Sequence, residues 1–293
     1  MTISKTITIG HKTNHPLQVN RLGYGTMRLT GEHIYGEPPN RPEALQILKR
    51  AINNGINFLD TADYYGDDVT NRLIAEALYP YAKNLVICTK VGGARKPDTS
   101  WIPYNTPEQL RLSINKNLST LKQDQIQLVH FRAMNGDSES FKASMDAMFQ
   151  LQKEGKILHV GVSNVNEDEL NIALKMGEIA SVENMFGHAQ RTNLKLPHTE
   201  YKGGSGVLEL CEENEIPFIP YFSLFASMPK KDIRIAEIAK KYQATEAQIN
   251  IAWLLHYSPW ILPIPGTSSL IHFEENLKAA DIQLTLEDMN FLK

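Results

Sequence analysis

Short apolar runs rich in β-branched residues recur eight times along the chain, with amphipathic stretches between them, and no other feature restricts the possible folds as strongly. The runs are Asn20 to Tyr24, Asn57 to Ala62, Leu85 to Val91, Ile126 to Arg132, His159 to Ser163, Ser181 to Met185, Phe218 to Phe222 and Ile261 to Pro265. Such alternation specifies βαβ units around a parallel sheet rather than separate all-α and all-β regions. The intervening segments carry helical signals. In Pro42 to Asn53 the apolar Ala44, Leu45, Leu48, Ala51 and Ile52 recur at helical spacing and Gly55 supplies the stop, while Thr106 to Leu121 opens on Thr-Pro. Eight-unit barrels routinely reach roughly 250 residues around one core. The expectation is therefore one α/β domain over residues 1–293, a (β/α)8 TIM barrel.

Two features depart from a minimal barrel. Thr6 to Gly10 and Leu17 to Asn20 flank a turn-rich His-Lys-Thr-Asn-His-Pro segment and read as an N-terminal β-hairpin able to plug one end. Two helical patterns, Lys231 to Tyr242 and Thr245 to Tyr257, lie between the seventh and eighth strands where one would suffice. The connections Gly92 to Asn105 and Gly187 to Gly204 are too long for simple βα turns and emerge after strands, at the face where barrel sites are built, so they are candidate substrate loops.

Composition narrows the function classes. With 30 basic and 33 acidic residues the net charge is −3, so there is no global positive field for nucleic acid or an anionic membrane surface. Cys88 and Cys211 lack the spacing of a staple or a zinc site, which fits a reducing compartment and no metal. Met1 to Gly10 carry no apolar signal-like core, and no apolar run approaches the roughly 18 residues needed to span a bilayer. A cytoplasmic protein, monomeric or weakly oligomeric, is expected.

Polar residues close three successive strands. The second ends in Asp60-Thr61-Ala62-Asp63-Tyr64-Tyr65-Gly66, the third in Thr89-Lys90 and the fourth in Val129-His130. Neighbouring strand ends converge on one barrel mouth, so Asp60, Tyr65, Lys90 and His130 are expected to meet there. A phenol of pKa about 10 is a poor acid, and an adjacent ammonium lowers that value. Lys90 is placed to supply it, Asp60 to keep the lysine charged, and His130 to donate to a substrate oxygen as negative charge develops. The group suits carbonyl reduction. Taken singly, each residue is as well explained as a solvated strand-end group; their joint occurrence points to chemistry.

The Asp-Thr-Ala-x-x-Tyr-Gly string at Asp60 to Gly66, with Lys90 and His130 on the next two strands, resembles the signature of the aldo-keto reductase family. Gly23-Tyr24-Gly25-Thr26-Met27, Gly161-Val162-Ser163-Asn164 and Ile264-Pro265-Gly266-Thr267-Ser268-Ser269 extend the resemblance over essentially the full chain. It implies a catalytic tetrad of Asp60, Tyr65, Lys90 and His130, an extended NADPH or NADP+ at the mouth, and a small-molecule aldehyde or ketone reduced to an alcohol. Ser163 and Asn164 match the pair that holds the nicotinamide carboxamide, and Tyr221 the aromatic that stacks on the ring, with Phe222, Ser223 and Leu224 following it. Gly25, Thr26, Met27 and Asp60 match further cofactor contacts, as do Ile264, Pro265, Gly266, Thr267 and Ser268. Gly266 to Ser269 precede a helix whose first N–H groups suit a ribose 2′-phosphate, with His272 beside them, favouring NADPH over NADH. Glu275 and Asn276 match adenine contacts.

There are departures. Glu183 stands where many members carry a Gln for the carboxamide, Phe222 and Phe225 replace small residues, and Gly266 and His272 replace the Lys and Arg of some relatives. Within the family, Asn20 to Gly25, Asp67-Asp68-Val69-Thr70-Asn71, Ala77 to Tyr81 and Ser100-Trp101-Ile102-Pro103 resemble bacterial pyridoxal reductase-like members. That implies reduction of pyridoxal to pyridoxine, with Trp101 as a flat wall beside Tyr65 and His130. Two other readings remain open: a nucleotide-binding regulatory subunit resembling channel β-subunits, and a barrel isomerase or hydrolase using Asp60 and Lys90 differently. Gly203 to Gly206 read as a loop entering a helix, the Lys230-Lys231 and Lys240-Lys241 pairs as solvated helix faces, and Met134, His188 and His198 suggest no chemistry.

Overall fold

The structure, a computed structural model, describes residues 4–134, 136–196, 199–224 and 232–293; His198, Phe225, Lys230 and Lys231 lie outside the described residues. It opens on an antiparallel hairpin, β1 (Thr6–Ile9) with β2 (Leu17–Asn20). The barrel strands and their helices follow in turn. They are β3 (Tyr24–Gly25), α1 (Arg41–Asn53), β4 (Phe58–Asp60), α2 (Val69–Leu78), β5 (Val86–Arg95), β6 (Trp101–Tyr104), α3 (Pro107–Thr120), β7 (Ile126–Arg132), α4 (Ser138–Lys153), β8 (Ile157–Ser163), α5 (Glu167–Met176) and β9 (Val182–Met185). A second small hairpin, β10 (Leu194–Leu196) with β11 (Thr199–Tyr201), precedes α6 (Ser205–Glu213), β12 (Phe218–Tyr221), α7 (Ile233–Tyr242), α8 (Glu246–Tyr257), α9 (Leu270–Lys278) and α10 (Leu286–Phe291). Side-chain caps define several of these helices: Asn40 accepts from Glu43 N at the start of α1, and Thr106 and Thr245 form reciprocal capping boxes with Gln109 and Gln248.

Strands β3, β4, β5, β7, β8, β9 and β12 pair in that order, all parallel. The segment after α8 completes the ring without forming a regular strand. Leu262 N donates to Phe218 O (2.9 Å) on one side, and Pro263 O accepts from Gly23 N (2.9 Å) on the other. Pro263 and Pro265 have no N–H, so this eighth position forms only part of a ladder. The expected first strand is also shifted: Asn20 belongs to the hairpin, and the barrel strand begins at Tyr24.

Alternation along each strand sorts the side chains into two layers. Outward residues such as Ile87, Val129, Val160, Val182 and Phe218 pack under the helices with Leu73, Met145, Leu170, Val207 and Trp253. Inward residues are apolar at the strand beginnings, where Phe58, Val86, Leu128, Ala180 and Ile219 meet Ile7, Ile9 and Val19 of the hairpin, which therefore caps the barrel's lower end. The next inward residues are polar: Asp60, Lys90, His130, Ser163, Glu183 and Tyr221. Both long connections prove to be hairpins rather than irregular loops. Strand β5 runs on past the barrel to pair with β6, and Gly203 bridges back to Met185 behind the β10–β11 ribbon.

Candidate active site

The inward polar layer brings the four expected catalytic residues together. Lys90 Nζ donates to both carboxylate oxygens of Asp60, each at 2.6 Å, and to Thr61 O at 3.1 Å. It also lies 5.0 Å from the centroid of the Tyr65 ring. Parallel pairing of β4 with β5, and of Lys90 with His130 across β5 and β7, fixes these neighbours. All four side chains are buried, and Tyr65 retains the most exposure.

Charge in this layer is more crowded than the sequence suggests. Glu183 Oε2 meets His130 Nδ1 at 2.9 Å and its Oε1 lies 3.4 Å from Lys90 Nζ. His130 Nε2 meets Ser181 Oγ at 2.7 Å. Both ring nitrogens are thus engaged inside the protein. Burial lowers the His130 pKa, against the pull of Glu183, so the ring is neutral near pH 7. Burial and the neighbouring Glu183 charge raise the Asp60 carboxyl well above its usual range. Burial also opposes the Glu183 carboxylate, but Lys90 and the His130 hydrogen bond outweigh it and hold the group at about 2.

The effect of Lys90 on Tyr65 also needs correction. The ammonium acts in the expected direction, but burial wins, and the Tyr65 hydroxyl sits above the ordinary phenol range. Asp60, Cys88 and His130 offer ligand atoms within 4.8 Å of one another, a grouping the sequence did not reveal. Lys90 already matches the Asp60 carboxylate with a cation there.

Several of the expected cofactor residues are spent on the protein itself. Asn164, at φ 59°, accepts from Tyr221 Oη (2.8 Å) and Lys202 N (2.8 Å), and donates to Ala133 O (2.9 Å) and Glu200 O (3.3 Å). Thr26 Oγ1 donates to Asp60 O at 2.9 Å, and Thr267 O accepts from Tyr24 Oη at 2.6 Å. Gly25 and Gly266 touch backbone to backbone, so that a Cβ on Gly266 would overlap Gly25 O. Ser269 caps α9 by accepting from His272 N, and the His272 side chain is exposed. Phe222 adopts φ 52° and packs edge-on to Tyr221 at 5.3 Å.

Three residues at the mouth, Arg132, Tyr64 and Arg95, escaped sequence reasoning. Arg132 follows His130 by two on β7 and so faces inward; its guanidinium lies 5.2 Å from the Tyr221 ring and 3.4 Å from Ser163 Oγ. Inward alternation would have found it. Tyr64 stands edge-on between Tyr65 (5.4 Å) and Trp101 (5.5 Å), and its buried hydroxyl has no hydrogen-bond partner among the described residues. Arg95 lies 4.1 Å over the Trp101 ring, so one face of that expected substrate wall is already covered.

Behind the tetrad lies a buried network that accounts for the Asp67 to Asn71 string. Thr61 and Thr89 point away from the barrel axis, flanking Asp60 and Lys90. Thr61 bonds Thr70 Oγ1 (2.8 Å) and Asn71 Oδ1 (2.9 Å), while Thr89 and Asn71 both donate to Asn117 Oδ1 (2.7 and 2.8 Å). Asp68 receives Asn71 Nδ2 (3.0 Å) and Thr120 Oγ1 (2.7 Å). Helices α2 and α3 are thereby pinned to the two strand ends that carry the ion pair. Gly203 bridges to Met185, and Gly204 precedes α6 as the residue at its N-terminal boundary.

Fold and site together define an oxidoreductase of the barrel type. The family model described as the Aldo/keto reductase family matches residues 21–293, and the chain belongs to that family. It is 36% identical over 294 residues to pyridoxine 4-dehydrogenase of Escherichia coli (strain K12), covering 99% of this chain and 97% of that protein. A thermostable aldo-keto reductase crystallised with the inhibitor epalrestat matches with a TM-score of 0.80 at 27% identity, covering 100% of this chain and 98% of the other. An aldo/keto reductase from Klebsiella pneumoniae, solved with NADP and acetate, matches with a TM-score of 0.77 at 23% identity, covering 99% and 94%. Among the described residues no helix is long and apolar enough to cross a membrane.

Proposed function

We propose that the chain reduces aldehydes or ketones with NADPH, with pyridoxal to pyridoxine as the first pair to test. The observation that carries the reading is the fully buried Lys90–Asp60 pair, 2.6 Å apart, beneath the ring of Tyr65. A fixed ammonium beside a phenol is costly to bury, and its chemical use is to stabilise the phenolate left after proton donation.

The donor chemistry fits an anionic dinucleotide. Arg132 is half-buried at the mouth beside Ser163 and has no ion-paired carboxylate among the described residues, and the exposed Ser268 and His272 stand at the start of α9. Arg132, Ser163, Tyr221 and the start of α9 would hold the cofactor; Asn164 would have to exchange its bond to Tyr221 for one to the ligand amide. When bound, the nicotinamide supplies the hydride for the carbonyl carbon. Tyr65 gives its hydroxyl proton to the carbonyl oxygen, Lys90 stabilises the resulting phenolate, and Asp60 keeps Lys90 charged and in place. His130, held at both nitrogens by Glu183 and Ser181, packs beside Lys90. The E. coli relative, named for dehydrogenating pyridoxine, supports a pyridoxal/pyridoxine pair.

NADPH oxidation across small aldehydes including pyridoxal tests the reading. Tyr65→Phe should lower kcat at least about 100-fold, the scale of a lost general acid, while leaving the NADPH Kd unchanged. Full turnover in that variant removes Tyr65 from the chemistry, and a panel that never oxidises NADPH favours a regulatory, nucleotide-binding role.

A further inference from the structure

We propose that Glu183 is a positioning residue of the catalytic cluster, gripping the His130 imidazole and the Lys90 ammonium in one chain instead of standing ready for a ligand amide. The inference deepens the reductase reading and rests on it for its kinetic arm.

Three observations carry it. First, both carboxylate oxygens are already used: Oε2 on His130 Nδ1 at 2.9 Å, and Oε1 toward Lys90 Nζ at 3.4 Å. Second, the strand makes the grip. Ser181 and Glu183 are two apart at β9 and so share the inward face, a separation of roughly 6.6 Å along a strand. That spacing brackets the imidazole: Glu183 takes Nδ1, and Ser181 Oγ takes Nε2 at 2.7 Å. Gly161 on β8 makes room, since a Cβ there would overlap the ring. Third, the side chain is only 1% exposed, so its charge acts at short range with little water between.

The chain Ser181–His130–Glu183–Lys90–Asp60 thus ties together β9, β7, β5 and β4. With Glu183 ionised, the neutral imidazole carries its proton on Nδ1, and Nε2 accepts from the Ser181 hydroxyl. His130 then has no second N–H to give, and Tyr65 is left as the proton donor. The charge of Glu183 bears on every ionisable group around it. These are Asp60 from β4, Tyr64 and Tyr65 from the turn after it, Cys88 and Lys90 from β5, His130 and Arg132 from β7, and Tyr221 from β12. Removing that charge makes both Asp60 and Tyr65 release their protons more readily.

The test uses Glu183→Gln, which keeps shape and an acceptor oxygen, and Glu183→Leu, which keeps neither. For Glu183→Gln the pH profile of kcat/KM should slide to lower pH by about one unit or more, the scale of losing a like charge at short range. Its NADPH Kd, read by fluorescence, should change less than about threefold. An activity-independent arm uses ¹⁵N-histidine NMR of the ligand-free protein: His130 should hold the Nδ1–H form from pH 6 to 8 in the wild type and lose that preference in Glu183→Leu. An unmoved profile with an NADPH Kd changed tenfold would make Glu183 a ligand contact and overturn the inference. So would a tautomer indifferent to Glu183→Leu. If the Glu183→Leu variant does not fold, the Gln variant decides; if the wild type reduces no aldehyde, the NMR arm still decides Glu183 and only the reductase reading fails.

Discussion

Replacing Lys90 by Met leaves two carboxylates, Asp60 and Glu183, buried without the cation that faces both, at 2.6 and 3.4 Å. At an effective dielectric constant of about 20, those separations correspond to attractions of about 6 and 5 kcal/mol. Desolvation offsets much of this, and breaking one side of a buried pair costs about 3–5 kcal/mol in practice. The loss should depend on pH. In the native protein Glu183 is held at about 2, below its unfolded value; without Lys90 its folded pKa rises above that value, and Asp60 rises further. A carboxyl whose folded pKa lies above its unfolded one, about 4, destabilises the fold as pH rises from there through the folded value, at about 1.4 kcal/mol per pH unit. Lys90→Met should therefore lose about 3–5 kcal/mol relative to wild type near pH 8 and measurably less near pH 5, where carboxyls raised by the loss of the cation are still protonated in the fold. Urea unfolding followed by tryptophan fluorescence at both pH values measures the difference. An equal loss at the two would mean that the carboxylates are not what Lys90 stabilises, and the electrostatic account of the site would fall.

Gly161→Ala would drive a methyl into His130 and toward Ser181 O; about 1–3 kcal/mol of stability should go, with activity falling further than thermal unfolding shifts explain. Wild-type turnover in that variant would show that the imidazole position is not critical. Asp63 is buried with Oδ1 unpartnered, and burial pushes its carboxyl up to about 7. Its folded pKa exceeds the unfolded one, so it costs stability increasingly above about pH 4. Asp63→Asn should consequently stabilise the protein by a few kcal/mol near pH 8 and little near pH 4, and a gain independent of pH in denaturant titrations would contradict the assignment.

Much of the barrel was legible because parallel strands buried on both faces must read as apolar runs, and because helices declare their ends chemically, as Thr106, Thr245 and Gly55 do. The errors fell where local pattern does not decide pairing. The stretch from Asn20 to Tyr24 is apolar enough for one strand but divides between hairpin and barrel, since Lys5 O already takes Arg21 N. The run at Ile261 to Pro265 closes the ring with few hydrogen bonds because its prolines cannot donate. The long connection after β5 became a hairpin by pairing β6 onto a strand already in place, and the one after β9 by pairing β10 with β11.

Asp60, Lys90 and His130 stood out in the sequence as polar residues ending apolar strands, and strand-end convergence in a barrel is enough to bring them together. Their partners were less visible. Arg132 and Ser181 are marked only by alternation, and nothing local to Asn164 shows that its amide meets Tyr221, Lys202, Ala133 and Glu200. By itself the sequence determined the barrel and the identity of its polar strand ends, because the periods of apolar side chains are local properties. Only the tertiary structure decided that Glu183 reaches His130, 53 residues away, and Lys90 beyond it. That contact depends on how far each strand is staggered against the next around the closed sheet, a quantity set by the packing of the whole ring and by no single segment.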